Sequence, residues 1–234
     1  MSEVMRVIQL RESSRGPFDM NRAVSNHELE QILEAAQWAP TAHNMQNFDI
    51  IVVDDPAILG ALGKLTIPIS LEFIKENYEQ LSFSEEELRR KKVGILATRF
   101  PPAWRNPAST PADLAAARRP LPTSPTMLFM TYDPRRRAPA SEGDFLGVIS
   151  LGCVTENMWL MATSLGISFH IVSSFGRGEI ESDVKRILGV PEPLRIVYAI
   201  RLGYTQAGGG RDLRVRRERS DFTHHNRFGW QGPA

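Results

Sequence analysis

GVISLGCVTENMWLMATSLG-ISFHIV, residues 147–172, carries the plan of the molecule. Residues 147–165 are apolar almost all round a helical wheel, which predicts a helix buried on most of its sides. Gly166 supplies the stop, because glycine accepts the left-handed backbone that follows a helix. Ser168–Val172 is then a short β-branched and aromatic run, the pattern of a strand. Cys153 lies inside the apolar helix and reads as a buried structural cysteine rather than a nucleophile.

Upstream, Thr126–Tyr132 (TMLFMTY) and Phe48–Val53 (FDIIVV) read as buried strands. Residues 2–10 place Val4, Val7 and Ile8 at helical spacing. Ser25-Asn-His-Glu28 is a capping-box pattern that opens a helix through Leu29, Ile32, Leu33 and Ala36, ending before Pro40. Asp54-Asp55-Pro56 is turn chemistry, with Pro56 suited to the first turn of another helix. Downstream, Glu179–Leu188 is an amphipathic helix closed by Gly189 and Pro191, and Leu194–Leu202 is a further strand. Gly208–Gly210 reads as a flexible link to an Arg-rich tail. Residues 66–122 read as an insertion or lid on a single domain. It would hold helices near 70–81 and 84–97, then a Pro-rich stretch with Phe100 and Trp104. No crossover is a clear βαβ unit, so mixed α+β and three-layer α/β are both compatible with this order.

The chain has 234 residues, with 28 Lys plus Arg against 27 Asp plus Glu, a net charge of +1. That balance argues against an overall electrostatic grip on nucleic acid or on an anionic membrane. A lone cysteine forms no intramolecular disulfide and fits a reducing compartment. The apolar stretches read as shorter than the ~20 residues of a membrane span. MSEVMRVIQLRESSR lacks the layout of a signal peptide. The expectation is a soluble, cytoplasmic protein without nucleic-acid or membrane partners.

The common catalytic signatures are absent. No G-x-G-x-x-G follows a strand, GALGKLT at 60–66 departs from a P-loop, and the five histidines have no metal-ligand spacing. Three polar clusters remain. Arg11-Glu-Ser13-Ser-Arg15 sets two cations and two hydroxyls on a short segment, which suits an anion or a solvated loop. Ala39-Pro-Thr41-Ala42-His43-Asn44-Met-Gln46-Asn47-Phe48 presents many donors and acceptors in a bend, which suits a polar ligand or plain turn chemistry. Arg211–Arg219 holds five arginines in nine residues, interleaved with Asp212 and Glu218. A phosphate site or a solvated tail accounts for it better than RNA binding does.

Together these segments resemble the flavin-dependent nitroreductase family. Arg11–Arg15 is similar to the family's R-x-S-x-R/K segment after the first helix. Ala39–Phe48 resembles its A-P-S-S-x-N-x-Q-P-W segment. Ser150–Gly166 resembles its central helix, and Phe169–Phe175 (FHIVSSF) its flavin-covering segment. Arg216–Gly229 (RRERSDFTHHNRFG) resembles its closing R-R-P-L-x-x-x-x-H-x-N-R-[FYW]-G. Only 66–122 has no counterpart.

The resemblance implies an α+β, three-layer α/β/α sandwich with a mixed, mainly antiparallel sheet, in an intertwined homodimer. It implies FMN at the subunit interface. Arg11, Ser13 and Arg15 would meet the FMN phosphate, ribityl chain and ring edge. Thr41, Ala42, Asn44 and Gln46 would approach from the partner subunit, and Ser150 would lie near the ring. Val172, Ser173 and Ser174 would cover one ring face. Arg214 and Arg216 would complete the phosphate clamp, with Arg217 as the alternative register. Catalysis would rest with flavin N5 and with no side chain or metal. NADH or NADPH would be the donor, and a nitroaromatic, quinone or related electron-poor compound the acceptor, by a ping-pong scheme. A dehalogenase or oxidase acting on a biosynthetic intermediate, or a non-catalytic flavin-binding protein, shares these features. The chain departs from the family pattern at Glu12, Ala42, Asn47-Phe48 and Glu156.

Overall fold

The computed structural model describes residues 1–68, 86, 90, 118–137, 139, 143–205 and 216–230. It divides into two compact units. One is Met1–Ile67 with Arg118–Gly209; the other is Pro68–Ala117 with Gly210–Ala234. Most of the expected helices near 70–81 and 84–97, the Pro-rich stretch, the Gly208–Gly210 link and Arg214 lie outside the described residues.

The first unit is built on a four-stranded antiparallel sheet. Its strands are β1 (Phe48–Val53), β4 (Thr126–Tyr132), β5 (Ser168–Val172) and β6 (Arg195–Gly203), in the order β1-β4-β6-β5. β4 pairs with β1 from Phe48↔Tyr132 to Val53↔Met127, and β6 lies against both β4 and β5. All seven residues of β4 are buried. A central strand covered on both faces must be apolar throughout, which is why it reads as an unbroken run. Alternation along it separates two cores. Leu128, Met130 and Tyr132 face a layer made by α2 (Asn26–Gln37) and α4 (Phe145–Ser164). Met127 and Phe129 face a layer made by α3 (Pro56–Gly63) and α5 (Gly178–Leu188). The result is the three-layer α+β sandwich.

Local chemistry sets the helix ends. The Ser25–Glu28 capping box is formed in both directions at the start of α2. The Asp55 side chain caps α3 by accepting from the Ala57 and Ile58 N–H groups. Gly189, at φ +67, closes α5. A two-residue correction applies to the central helix, α4, which begins at Phe145 rather than 147. α1 (Glu3–Leu10) packs beside it. A two-stranded sheet, β2 (Thr66–Pro68) with β3 (Arg118–Pro120), was not expected. Arg118 holds it by donating to the Thr66 hydroxyl and carbonyl.

α4 also corrects the reading of apolar length. Its 20 residues are long and apolar enough to cross a membrane by length and composition. Glycine, serine and threonine break the visible run but cost a helix little hydrophobicity. In the structure the helix is a core element: Leu151, Val154, Met158 and Ala162 are buried under the sheet. Its first turns differ, because Phe145, Val148 and Ile149 are exposed, as are Val4, Met5 and Ile8 on α1.

Candidate functional site

The Arg11–Arg15 segment gets its place from three neighbours. The Arg11 N–H caps α1 on the Val7 carbonyl. Ser13 then bridges Phe169 in parallel, and the Ser14 N–H donates to the Phe169 carbonyl at 2.9 Å. The segment therefore lies along the outer edge of β5, adding a parallel contact to an antiparallel sheet. Trp159 on α4 fixes it from below, its indole N–H donating to the Glu12 carbonyl at 3.1 Å. The same indole stacks on Phe169 at 4.8 Å, and the Arg11 guanidinium lies 4.5 Å from its ring centre. Arg11 is thus aimed by cation–π contact rather than left to swing.

The Arg11 guanidinium also meets a carboxylate, with Nε 3.4 Å from Glu156 Oε1. That carboxylate takes the place an anionic ligand oxygen would occupy. The chemistry of the segment therefore fits a phosphate: an aimed guanidinium, followed in sequence by two hydroxyl residues and a second arginine. It also makes Glu156 a competitor for any such anion. Glu156→Gln is expected to raise affinity for a phosphate-bearing ligand such as FMN by up to about fivefold, since half-exposed ion pairs contribute ~0.2–1 kcal/mol. Titration of FMN fluorescence on the two proteins checks this; an unchanged or weaker affinity contradicts it.

The Thr41–Asn47 turn is a second cluster. His43, Asn44 and Gln46 have φ of +51, +52 and +44, a left-handed backbone that asparagine tolerates and the other two resist. A local network holds them there. Thr41 Oγ1 accepts from the Gln46 N–H at 3.2 Å, and Gln46 Nε2 donates to Asn44 Oδ1 at 3.0 Å. The Ala42 N–H donates to Ser150 Oγ at 2.9 Å, and that hydroxyl donates to the Leu146 carbonyl at 2.7 Å. Ser150 is buried, and its bonds tie the turn to α4. Asn47 is buried as well and donates to the Arg136 carbonyl at 2.8 Å. Strained backbone held by several partners is typical of ligand-contact segments.

Within one chain the two clusters are anchored at different places on α4. The turn is tied to Ser150 and the arginine segment to Glu156 and Trp159. Ser150 and Trp159 are about 13 Å apart along the axis at ~1.5 Å per residue. The cavity against the turn, lined by Ala42, Met45, Asn47, Arg136, Gly147 and Ser150 among others, has about 10 Å³ of room. That holds about one water and no tricyclic ring.

β5 ends at Val172 and runs straight into a 3₁₀ turn, Ser173–Gly176. Val172, Ser174 and Phe175 are buried and Ser173 is exposed. Phe175 meets Phe129 edge to face, ring centres 5.2 Å apart, which fixes the turn on the sheet. The backbone of 172–174 thus continues β5 three residues beyond Phe169, where the arginine segment crosses.

Arg216 and Arg217 belong to the second unit, where the Arg217 guanidinium lies 5.4 Å from the Phe222 ring centre. There, Glu218 and Asp221 cap a short 3₁₀ turn reciprocally, and His224 and His225 meet Phe228 and Trp230. The tail aromatics are partnered by neighbouring histidines. Among the described residues no group of three or more His, Cys, Asp or Glu could hold a metal ion. Trp159 as the support of Arg11, and Glu156 as its partner, escaped the sequence reading. The available signal was their i, i+3 spacing, which puts both on one side of α4.

A sequence profile described as Nitroreductase family matches residues 8–204. A protein of Archaeoglobus fulgidus named for NADH dehydrogenase and NAD(P)H nitroreductase activity is 24% identical over 204 residues, covering 87% of this chain and 86% of its own. A Bacteroides fragilis nitroreductase crystallised with bound FMN matches with a TM-score of 0.57 at 21% identity, over 96% of this chain and 99% of its own. A Desulfitobacterium hafniense nitroreductase, also with bound FMN, matches with a TM-score of 0.55 at 19% identity, over 96% and 98%. At those identities the structural likeness speaks to the fold.

Proposed function

The chain belongs to the nitroreductase family, and on that premise we propose that it is an FMN-dependent oxidoreductase. It takes reducing equivalents from NADH or NADPH and passes them to a nitroaromatic, quinone or related electron-poor compound. The observation that carries this reading is the Arg11–Arg15 segment, laid along β5 with an aimed guanidinium already holding a carboxylate. FMN, when bound, supplies the two-electron chemistry, so no side chain need act as general acid or base.

The protein's residues bind and orient. Arg11 takes a phosphate oxygen. Ser13 donates its hydroxyl to the sugar-alcohol chain. Arg15 lies at the ring edge, where a cation favours the reduced, anionic form. The backbone of Val172–Ser174 covers one ring face. Thr41, Ala42, Asn44 and Gln46 are supplied by a second copy of the chain, as the family resemblance implies. Ser150 acts by holding that turn.

The exposed apolar residues support the dimer. Val4, Met5 and Ile8 on α1 and Phe145, Val148 and Ile149 on α4 would leave water in a subunit interface. Two measurements test the proposal. Initial rates with varied donor at several acceptor concentrations should give parallel double-reciprocal lines, since both substrates use one slot in turn. Intersecting lines contradict the shared slot. Sedimentation should give a dimer whenever FMN is bound; a monomer carrying stoichiometric FMN contradicts the shared site.

A further inference from the structure

Val172 shares its sheet face with Arg201 and the cross-strand partner of that arginine, His170. His170 and Arg201 are paired directly across β5 and β6. Phe169, Ile171, Ile200 and Leu202 pack toward the α2–α4 layer. Alternation therefore puts His170 and Arg201 on the opposite face, in the rows of Val172 and Ala199. Arg201 is 4% exposed. Its Nε donates to the Thr123 carbonyl at 2.9 Å, Nη2 to the Gly16 carbonyl at 3.2 Å, and Nη1 meets His170 Nδ1 at 3.2 Å. The guanidinium lies 4.2 Å from the Phe18 ring centre. These partners engage all three guanidinium nitrogens without neutralising the charge.

The surrounding charges have the same sign. Burial first, then Arg201, Arg15 and Arg119, push the His170 pKa down to about 3, so the ring is neutral and accepts at Nδ1. Half-buried Arg119 is itself held below its ordinary value by burial and by Arg177. Burial alone lowers Arg201 to about 10. Like charges brought together in a poorly solvated place favour a ligand that carries or acquires negative charge.

We propose that Arg201, paired with His170 across β5 and β6, forms with Arg119 and Arg15 a cationic wall that receives the negative charge of a bound flavin ring on reduction and so raises its reduction potential. The proposal rests on the FMN reading above. The ring is the natural partner, rather than the phosphate, for two reasons. The wall shares its strand and face with Val172, where the ring-covering segment begins. Arg201 also holds the carbonyl of Gly16, the residue directly after Arg15. The phosphate residue Arg11 is instead directed at Glu156 and Trp159.

The test is the midpoint potential of FMN bound to the parent and to Arg119→Gln, Arg201→Gln and Arg201→Lys, measured anaerobically against a redox dye. Each Gln variant should lower the affinity ratio of reduced to oxidised FMN about tenfold, a fall of ~30 mV for a two-electron couple. Arg201→Lys keeps the charge and should stay within about threefold of the parent. If Arg201→Gln does not fold, Arg119→Gln decides, because the described fold does not lean on its hydrogen bonds. FMN-loaded Gln variants with the parent potential overturn the proposal. So does an Arg201→Lys that falls as far as Arg201→Gln. A parent that binds no FMN is a different outcome: it overturns the flavin reading, and the wall with it.

Discussion

Arg11→Ala is expected to weaken FMN binding about thirtyfold. Hydrogen bonds to charged groups contribute ~1.5–3 kcal/mol, and about 2 kcal/mol corresponds to that factor. Arg11 is the arginine of the segment whose direction is set within the first unit, by the Trp159 face and Glu156. The fold should feel the change little. Its ion pair with Glu156 is half-exposed, and such pairs contribute ~0–1 kcal/mol. Fluorescence titration with FMN, paired with a thermal melt, separates the two effects. Parent-like affinity contradicts the phosphate assignment.

Gly176→Ala is expected to cost about 3 kcal/mol of stability, the upper end for overpacking. A Cβ at Gly176 would stand 2.4 Å from the Ile196 carbonyl oxygen and 2.5 Å from that of Val197. Both are backbone atoms of β6 and cannot swing aside. The 3₁₀ turn must lift off the sheet, carrying Ser173 and Ser174 with it. The melting temperature should fall by about 6–12 °C, at ~2–4 °C per kcal/mol for a chain of this size. FMN affinity should fall with it. Gly178→Ala, two residues on, meets nothing within 4 Å but has φ +39, so its cost is backbone strain alone. A melting point for Gly176→Ala within about 2 °C of the parent would contradict this account.

Much of the fold was legible because its signals are local. The Ser25–Glu28 box, Asp55 before Pro56 and Gly189 after Leu188 each act within a few residues. β1, β4 and β5 have the bounds expected of them, since buried apolar runs end where turn residues begin. What escaped is non-local. Arg118-Arg119-Pro120 has no strand character and becomes one only by pairing with β2. Arg201 looks misplaced in the apolar run of β6 until Thr123, Gly16 and His170 supply its partners.

The candidate site shows the same division. Arg11, Ser13 and Arg15 were readable as a cluster because they are contiguous. Glu156 as the partner of Arg11 was not, because the two meet only when α1 packs on α4. The Thr41–Asn47 segment could be read as turn chemistry or as a ligand segment. The structure shows turn chemistry in full use, with three left-handed residues, which is compatible with both. The Ser150 hydroxyl accepts from the Ala42 N–H and donates to the Leu146 carbonyl, bonds between segments that sequence spacing does not reveal.

The most direct test of the central claim is the visible absorption spectrum of the purified protein with and without added FMN, followed by anaerobic NADH and then NADPH. The account predicts a protein-bound flavin band that at least one donor bleaches. A protein that shows no bound flavin after FMN is added, or one whose flavin neither donor reduces, would contradict it.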